Sequence, residues 1–322
     1  MISIENTNEP DSNWNKRLLD SKLGTIYQTQ EYASYTNSVL GWNTKYLKFI
    51  DEKGTIVGQL MLSIYFRFDK KGNIGKILKI IPTKKTIYRW MYGPTVFDIK
   101  YDKQIRELLF DFLISKNCIV IGSEHPLSNR ILYDLKKSFT INNLGTFLID
   151  LSLGQDELWK NIDKHSARKN VERSKNRGVI VREMQRSNLI LYHKMLQETK
   201  QNTEYSVSLF AVEELWDKLH PIGFTGFLAY KDNFPIGGIL ISSFNKYVNE
   251  WGVARSEIDS SSKFYAQDYL KWEIIRWGIN NGCHYYDLSG VNPHHKDAKE
   301  SGIFQYKKKW GGKFIEYKTY GV

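Results

Sequence analysis

Residues 301–317 read SGIFQYKKKWGGKFIEY, which sets the consecutive lysines Lys307, Lys308 and Lys309 between aromatic residues and a glycine pair. Two readings of the block fit. Either these are solvated charges on an edge strand, or one of them is a cation held where negative charge develops in a reaction. Upstream, CHYYDLSGVNPHH gathers Cys283, His284, Asp287, His294 and His295. Its spacing matches no standard zinc pattern, and adjacent histidines do not readily share one ion, so no metal is expected. The chain has no Gly-x-Ser-x-Gly elbow, Walker A sequence or dinucleotide fingerprint, which removes the common hydrolase, nucleotidase and dehydrogenase readings. A further group is basic. Lys160, Lys164, Arg168, Lys169, Arg173, Lys175 and Arg177 fall in a helix expected over 156–177 and closed by Gly178. Lys160, Lys164 and Arg168 would share one face, where stacked like charges cost a few tenths of a kcal/mol per pair unless an anion offsets them. A phosphate ligand would do so; the alternative is a solvated helix whose late positive charges suit its own dipole.

Positioning these groups requires a frame, and the sequence repeats one. YLKFIDEKGTIVGQLMLSI (46–64) and GFLAYKDNFPIGGILISSF (226–244) each read as an apolar strand, a polar turn and a returning strand entered through Gly58 or Gly237. KQIRELLFDFLISKNCIVIGSEH (103–125) and AQDYLKWEIIRWGINNGCHYYDLSG (266–290) each read as a helix that ends at Cys118 or Cys283 before a strand. Two segments recurring in the same order predict a duplicated α/β chain in which a helix covers one face of a mixed sheet, the order of an acetyltransferase-like domain. A strand over 147–153 precedes the basic helix, which puts the boundary near 145: residues 1–145 form one domain and 146–322 the other.

A length of 322 residues suits two such domains, and 41% hydrophobic with 25% charged residues is ordinary for a folded globular chain. Lys and Arg number 46 against 35 Asp and Glu, a net charge of +11 that favours nucleic acid, anionic lipid or phosphorylated sugars as partners. With two cysteines there is no disulfide framework, and neither a signal peptide nor an apolar run of spanning length is seen, so the expected location is the cytoplasm.

LWKNIDKHSARKNVERSKNRGVIVRE, FYAQDYLKWEIIRWGINNGCHYYDLSGVN and GIFQYKKKWGGKFIEY together resemble the Fem family of peptidoglycan interpeptide-bridge aminoacyltransferases and the wider group of acetyltransferase-like proteins related to it. YQTQEY and WMYGPTVFD resemble the family's N-terminal landmarks. The resemblance implies two tandem acetyltransferase-like (GNAT-fold) domains with mixed sheets and, since no heptad run is present, no coiled-coil arm. It implies transfer of an amino acid from aminoacyl-tRNA to an amine on an anionic nucleotide- or lipid-linked cell-envelope precursor, with no bound cofactor and with room for peripheral membrane contact. Lys307 matches the family lysine that approaches the reacting ester, where a cation stabilises the tetrahedral oxyanion and the departing ribose oxygen. Asp287, at the end of the strand after the long helix, would orient or deprotonate the attacking ammonium or else cap the glycine turn, and Tyr265, at the start of that helix, would hydrogen-bond substrate or simply pack. Asp98 and Tyr92, flanking GPT, match acceptor-side positions; Arg168 and Arg173 match basic positions suited to phosphate. Two departures stand out. SSSKFYAQDYL, where acyl-CoA enzymes of this fold place a glycine-rich pyrophosphate turn, contains no glycine. Thr36 occupies the place of a lysine that meets the precursor's diphosphate, leaving murein or another amine-bearing glycan or peptide as acceptor. The alternative function is an acyl-CoA-dependent N-acyltransferase acting on an amino sugar or surface polysaccharide precursor.

Overall fold

Period-2 and period-3.6 apolar patterns become strands and helices where expected in the computed structural model, which describes residues 2–69, 83–128, 139–200 and 207–321. Two units result: Met1–Asn143 with Tyr317–Val322, and Leu144–Glu316. The division, expected at 145, falls at 143, and residues 317–322 count with the first unit.

The first unit comprises β1 (Ile2–Thr7), α1 (Trp14–Leu19), α2 (Gln30–Leu40), β2 (Asn43–Asp51), β3 (Ile56–Asp69), β4 (Thr83–Arg89), β5 (Thr95–Val96), α3 (Asp102–Ser115) and β6 (Ile119–Ser123). Strands β1 to β4 are antiparallel neighbours in sequence order, and β6 lies parallel beside β4 because α3 crosses over between them. Leu47, Phe49 and Leu60 bury themselves against Ile105, Leu109 and Phe110 of α3.

The second unit repeats the plan. β7 (Thr140–Asp150) leads into it, followed by α4 (Gly154–Asn161), α5 (Lys169–Asn176), β8 (Ile180–Glu183), α6 (Leu189–Lys200), α7 (Leu209–Leu219), β9 (Phe224–Lys231), β10 (Phe234–Phe244), β11 (Tyr247–Arg255), α8 (Glu257–Ser262), α9 (Ala266–Asn280), β12 (Tyr285–Asp287), α10 (Ala298–Lys308) and β13 (Lys313–Gly321). Strands β8 to β11 are antiparallel neighbours, β12 lies parallel beside β11 after the α9 crossover, and β7 closes on β12 antiparallel. The last residues of β13, 319–321, pair with β6 of the first unit's sheet.

The repeat extends to a bulge. Val57 between Ile56 and Gly58, and Ile236 between Pro235 and Gly237, are each left without a partner in the opposite strand of their hairpins. The glycine that follows each bulge is then pressed by the covering helix. A Cβ on Gly58 would lie 2.8 Å from Ile105 Cδ1, and one on Gly237 would lie 3.3 Å from Leu270 Cδ1. The next residue of each helix is a buried cation. In α3, Arg106 is ion-paired with Asp102 and Glu124, and Tyr320 donates to Glu124 at 2.7 Å. In α9, Lys271 is ion-paired with Glu250, and Tyr286 donates to that carboxylate at 2.7 Å.

Two expectations are corrected. The basic helix is not continuous over 156–177: α4 stops at Asn161, Ile162 is extended, and Asp163 restarts the chain by accepting from the N–H groups of His165 at 3.0 Å and Ser166 at 2.7 Å. A short aspartate competes with the helix for backbone donors, so Lys160 no longer shares a face with Lys164 and Arg168. Residues 164–168 then take a π-helical turn before α5. The second correction concerns the lysine block, which is helix up to Lys308 and strand only from Lys313. Ile303, Tyr306 and Trp310 at i, i+3 and i+7 are helical spacing, and Asp297 caps the start by accepting from Glu300 N–H at 2.8 Å.

Candidate active site

Lys307 lies in the last turn of α10, and the glycine pair fixes where that turn ends. Gly311 takes a positive φ of 72°, and a Cβ there would lie 2.5 Å from the carbonyl oxygen of Asn161; one on Gly312 would lie 3.0 Å from the backbone of Leu148. Only bare backbone passes at such distances. So held, the Lys307 ammonium donates to the carbonyl oxygens of Ser289 at 3.0 Å and Gly290 at 3.1 Å. Burial pulls its pKa below the usual lysine value; Glu250 opposes that shift, Lys271 adds to it, and Asp287 opposes it. An ammonium has three donors, and the two carbonyls leave one N–H to offer elsewhere.

The cradle for Lys307 is the turn that follows β12. Ser289 sits there with a positive φ of 65°, which is strained for a residue with a side chain. Asp287, fully buried, braces it: Oδ1 accepts from Ser289 N–H at 2.7 Å and from the Thr146 hydroxyl, and Oδ2 accepts from Tyr247 OH at 2.6 Å. Ser289 O lies 3.0 Å from the same Thr146 hydroxyl, a second acceptor for its one hydrogen, and the Ser289 hydroxyl donates to Glu250 O. A base role for Asp287 would draw on a carboxylate whose Oδ1 already has two donors and whose Oδ2 has Tyr247. Thr146, Tyr247, Glu250, Lys271 and Tyr286 were not singled out by sequence. A lysine in mid-helix or a glutamate in a strand reads as solvent-facing, and only the crossover brings this pair together at the start of the β11–β12 separation.

Tyr265 and Arg173 are brought together. Tyr265 stands just before α9 with φ 58°, its ring lies 5.6 Å from the Arg173 guanidinium and 5.7 Å from that of Arg177, and its OH accepts from Arg173 at 3.4 Å. It also lines a cavity of about 330 Å3 with Arg255, Gln267, Lys271, Tyr306 and Lys309. Lys309 is tied down there by an ion pair with Asp268 at 2.5 Å, and Asp268 accepts from Asn170 at 2.9 Å. Arg168, half-buried at the end of the π-turn, has an Nε atom out of contact with solvent that finds no hydrogen-bond partner among the described residues. In the first unit, Tyr92 is buried among the rings of Tyr27, His125 and Tyr317, its N–H donating to Ser123 at 3.1 Å. Asp98 caps a short 3-10 turn, accepting from Lys100 N–H at 3.1 Å and pairing with the Lys100 ammonium at 2.6 Å, which lowers its pKa. Thr36 is fully buried and donates to Ala33 O at 3.0 Å, so it presents nothing to a ligand.

This part of the chain is recognisable. Residues 229–318 match the model of the FemAB family. That segment runs from β9 to β13 and contains Lys307, its cradle, Glu250 and Lys271. The fold agrees over nearly the whole length. A crystal structure of FemX aligns over 98% of this chain and 96% of its own, with a TM-score of 0.69 and 15% identity. L-PGS from Bacillus licheniformis aligns over 98% and 92%, with a TM-score of 0.58 and 12% identity. A tandem GNAT protein from the clavulanic acid biosynthesis pathway aligns over 100% and 98%, with a TM-score of 0.55 and 9% identity. None of the curated proteins matches the chain. The Fem-like fold lacks a coiled-coil arm among the described residues, where α9, with 15 residues, is the longest helix. No helix among the described residues is long and apolar enough to cross a membrane. They also hold no group of three or more His, Cys, Asp and Glu side chains arranged for a metal ion.

Proposed function

We propose that the chain transfers an aminoacyl group from aminoacyl-tRNA to an amine of a cell-envelope component. The observation that carries this reading is the Lys307 ammonium, seated on two carbonyls inside the FemAB segment with one N–H unspent. Attack of a neutral amine on the ester carbon puts negative charge on the carbonyl oxygen; its collapse expels the ribose oxygen, which takes up a proton as the amide forms. Lys307 stabilises both oxygens, and its fixed position means that little reorganisation is needed as the charge appears.

The donor follows from the start of α9. Acyl-CoA enzymes of this architecture leave the N–H groups at the corresponding helix terminus open for a pyrophosphate. Here the Asp259 carboxylate accepts from Ala266 N–H at 2.9 Å, and Asp268 N–H is turned to Tyr265 O at 3.1 Å. With these N–H groups already engaged, the helix terminus offers a pyrophosphate fewer donors, which supports tRNA over CoA as the donor and no resident cofactor. Arg173 and Arg177, exposed and stacked on Tyr265, supply cations for the tRNA backbone, with half-buried Arg168 close by at the end of the π-turn. On the acceptor side, the buried Thr36 offers no cation for a diphosphate, which favours an amine-bearing envelope molecule other than a nucleotide-linked murein precursor, met in the cytoplasm or at the membrane surface.

The test is turnover with charged tRNA and amine acceptors. Lys307→Ala is expected to lower kcat about 10²-fold, the effect of losing one oxyanion donor of about 3 kcal/mol. Unchanged turnover would remove the assignment, and efficient transfer from acetyl-CoA would replace the donor.

A further inference from the structure

Lys307 is not the only amine beside the cradle, and the second is fully buried. Lys271, 1% exposed, reaches it from α9, and Glu250, 9% exposed, from β11. Glu250 Oε2 accepts from both Lys271 and Tyr286 OH, so the carboxylate is held from two elements at once. The link to Lys307 is short and covalently defined. Ser289, whose carbonyl holds the Lys307 ammonium, donates its hydroxyl to the carbonyl of Glu250 itself. Tyr306, the neighbour of Lys307 in α10, places its ring 5.8 Å from Lys271 Nζ, and the Tyr286 ring lies 5.6 Å from the same atom.

We propose that Glu250 and Lys271 are positioning residues of opposite sign that set how firmly Lys307 keeps its proton, with Tyr286 locking the carboxylate in place. This rests on the reading of Lys307 as the oxyanion-stabilising group. Catalysis needs the ammonium charged, yet a charge in a half-dry site tends to be lost. A carboxylate alone beside it would form a tight salt bridge and draw the ammonium off the carbonyls that aim it. A carboxylate already engaged by Lys271 and Tyr286 supports the charge of Lys307 without capturing it. The groups that bear on this balance are Tyr192 on α6, Glu250 and Tyr247 on β11, Lys271 on α9, Tyr286 and Asp287 on β12, and Tyr306 beside Lys307 on α10. The tyrosines are held neutral, since burial raises the hydroxyl pKa of Tyr192, Tyr286 and Tyr306, which leaves Glu250, Lys271 and Asp287 as the charges that count. Asp287 is committed to the turn, so the adjustable pair is Glu250 and Lys271.

The experiment reads Lys307 directly, without substrate. The full-length protein is labelled competitively with acetic anhydride across pH, and each lysine's titration midpoint is taken from peptide mass spectrometry, with exposed Lys116 as internal reference. Glu250→Gln, which keeps an acceptor for Tyr286, is expected to lower the Lys307 midpoint by about one pH unit, and Lys271→Met to raise it by a similar amount. Glu250→Gln/Lys271→Met removes both buried charges and brings the midpoint back towards that of the unsubstituted protein. Shifts of the same sign in both single variants, or no shift in either, would overturn the proposal. If one single variant fails to fold, the double variant compared with the other single still reads one leg of the cycle, and an unmoved midpoint there counts against it. Because neither charged tRNA nor an acceptor substrate is present, these outcomes stand apart from the turnover of Lys307→Ala, which tests the catalytic reading itself.

Discussion

Replacing Asp287 separates a base from a brace. The carboxylate accepts from Ser289 N–H, Thr146 and Tyr247, and hydrogen bonds to a buried charge contribute about 1.5–3 kcal/mol each. Asp287→Ala leaves Ser289 N–H and Tyr247 OH without that acceptor, while Thr146 still has Ser289 O, so two bonds are lost and the expected cost is about 3–6 kcal/mol. Asp287→Asn is milder. Its amide can turn the NH2 towards Tyr247, whose hydroxyl is able to accept as well as donate, so the loss is mainly the charge assistance, about 2 kcal/mol. Tyr247→Phe removes one bond and is expected to cost a similar amount. Urea unfolding followed by tryptophan fluorescence gives these values, and turnover is measured in parallel below the transition. For a brace, activity falls together with stability, and Tyr247→Phe behaves like Asp287→Asn because both loosen the Ser289 carbonyl that seats Lys307. A 10²-fold or greater loss of kcat in Asp287→Asn at unchanged stability, with Tyr247→Phe fully active, would refute the bracing argument and restore the base.

Gly311→Ala is expected to destabilise by at least about 3 kcal/mol, because a Cβ would meet the Asn161 carbonyl at 2.5 Å on a backbone with positive φ. A melting temperature lowered by roughly 6–12 °C checks this, and a shift under 2 °C would mean that the chain passes Asn161 differently. His125 is buried, and its pKa falls from 6.5 to about 3, so the folded state holds it neutral while the unfolded chain takes up a proton. Its contribution is complete above about pH 6.5 and is lost as pH falls towards 3; His125→Gln is expected to flatten that part of the stability curve, measured by denaturation at several pH values.

The frame was legible because it depends on local patterns. Gly58 and Gly237 announced the strands that accept a covering helix, and the residues before Cys118 and Cys283 carried helical spacing at full strength. The break at Asp163 was hidden, since counting charges every fourth residue ignores a side chain that prefers the backbone N–H groups of His165 and Ser166. The helix ending at Lys308 was visible in Ile303, Tyr306 and Trp310, but the neighbouring alternation of rings and lysines spoke as strongly for a strand. The surroundings of Lys307 were the least legible part. Nothing in EWGV or LKWE says that Glu250 and Lys271 are buried, because that depends on a parallel crossover bringing β11 and α9 together. Lys307 came from resemblance, Asp287 and Tyr265 from their places at the end of a strand and the start of a helix, and the structure adds what each one touches.

The matched cations of α3 and α9 differ in one chemical respect. Arg106, with two acidic partners and a burial that still leaves its pKa raised, keeps its guanidinium charged under any condition the fold survives. Lys271 has a single acid, met by a compact ammonium and not by a planar fork. Of twin scaffolds, one is therefore fastened like a rivet from two sides, while its counterpart hangs on a single pivot.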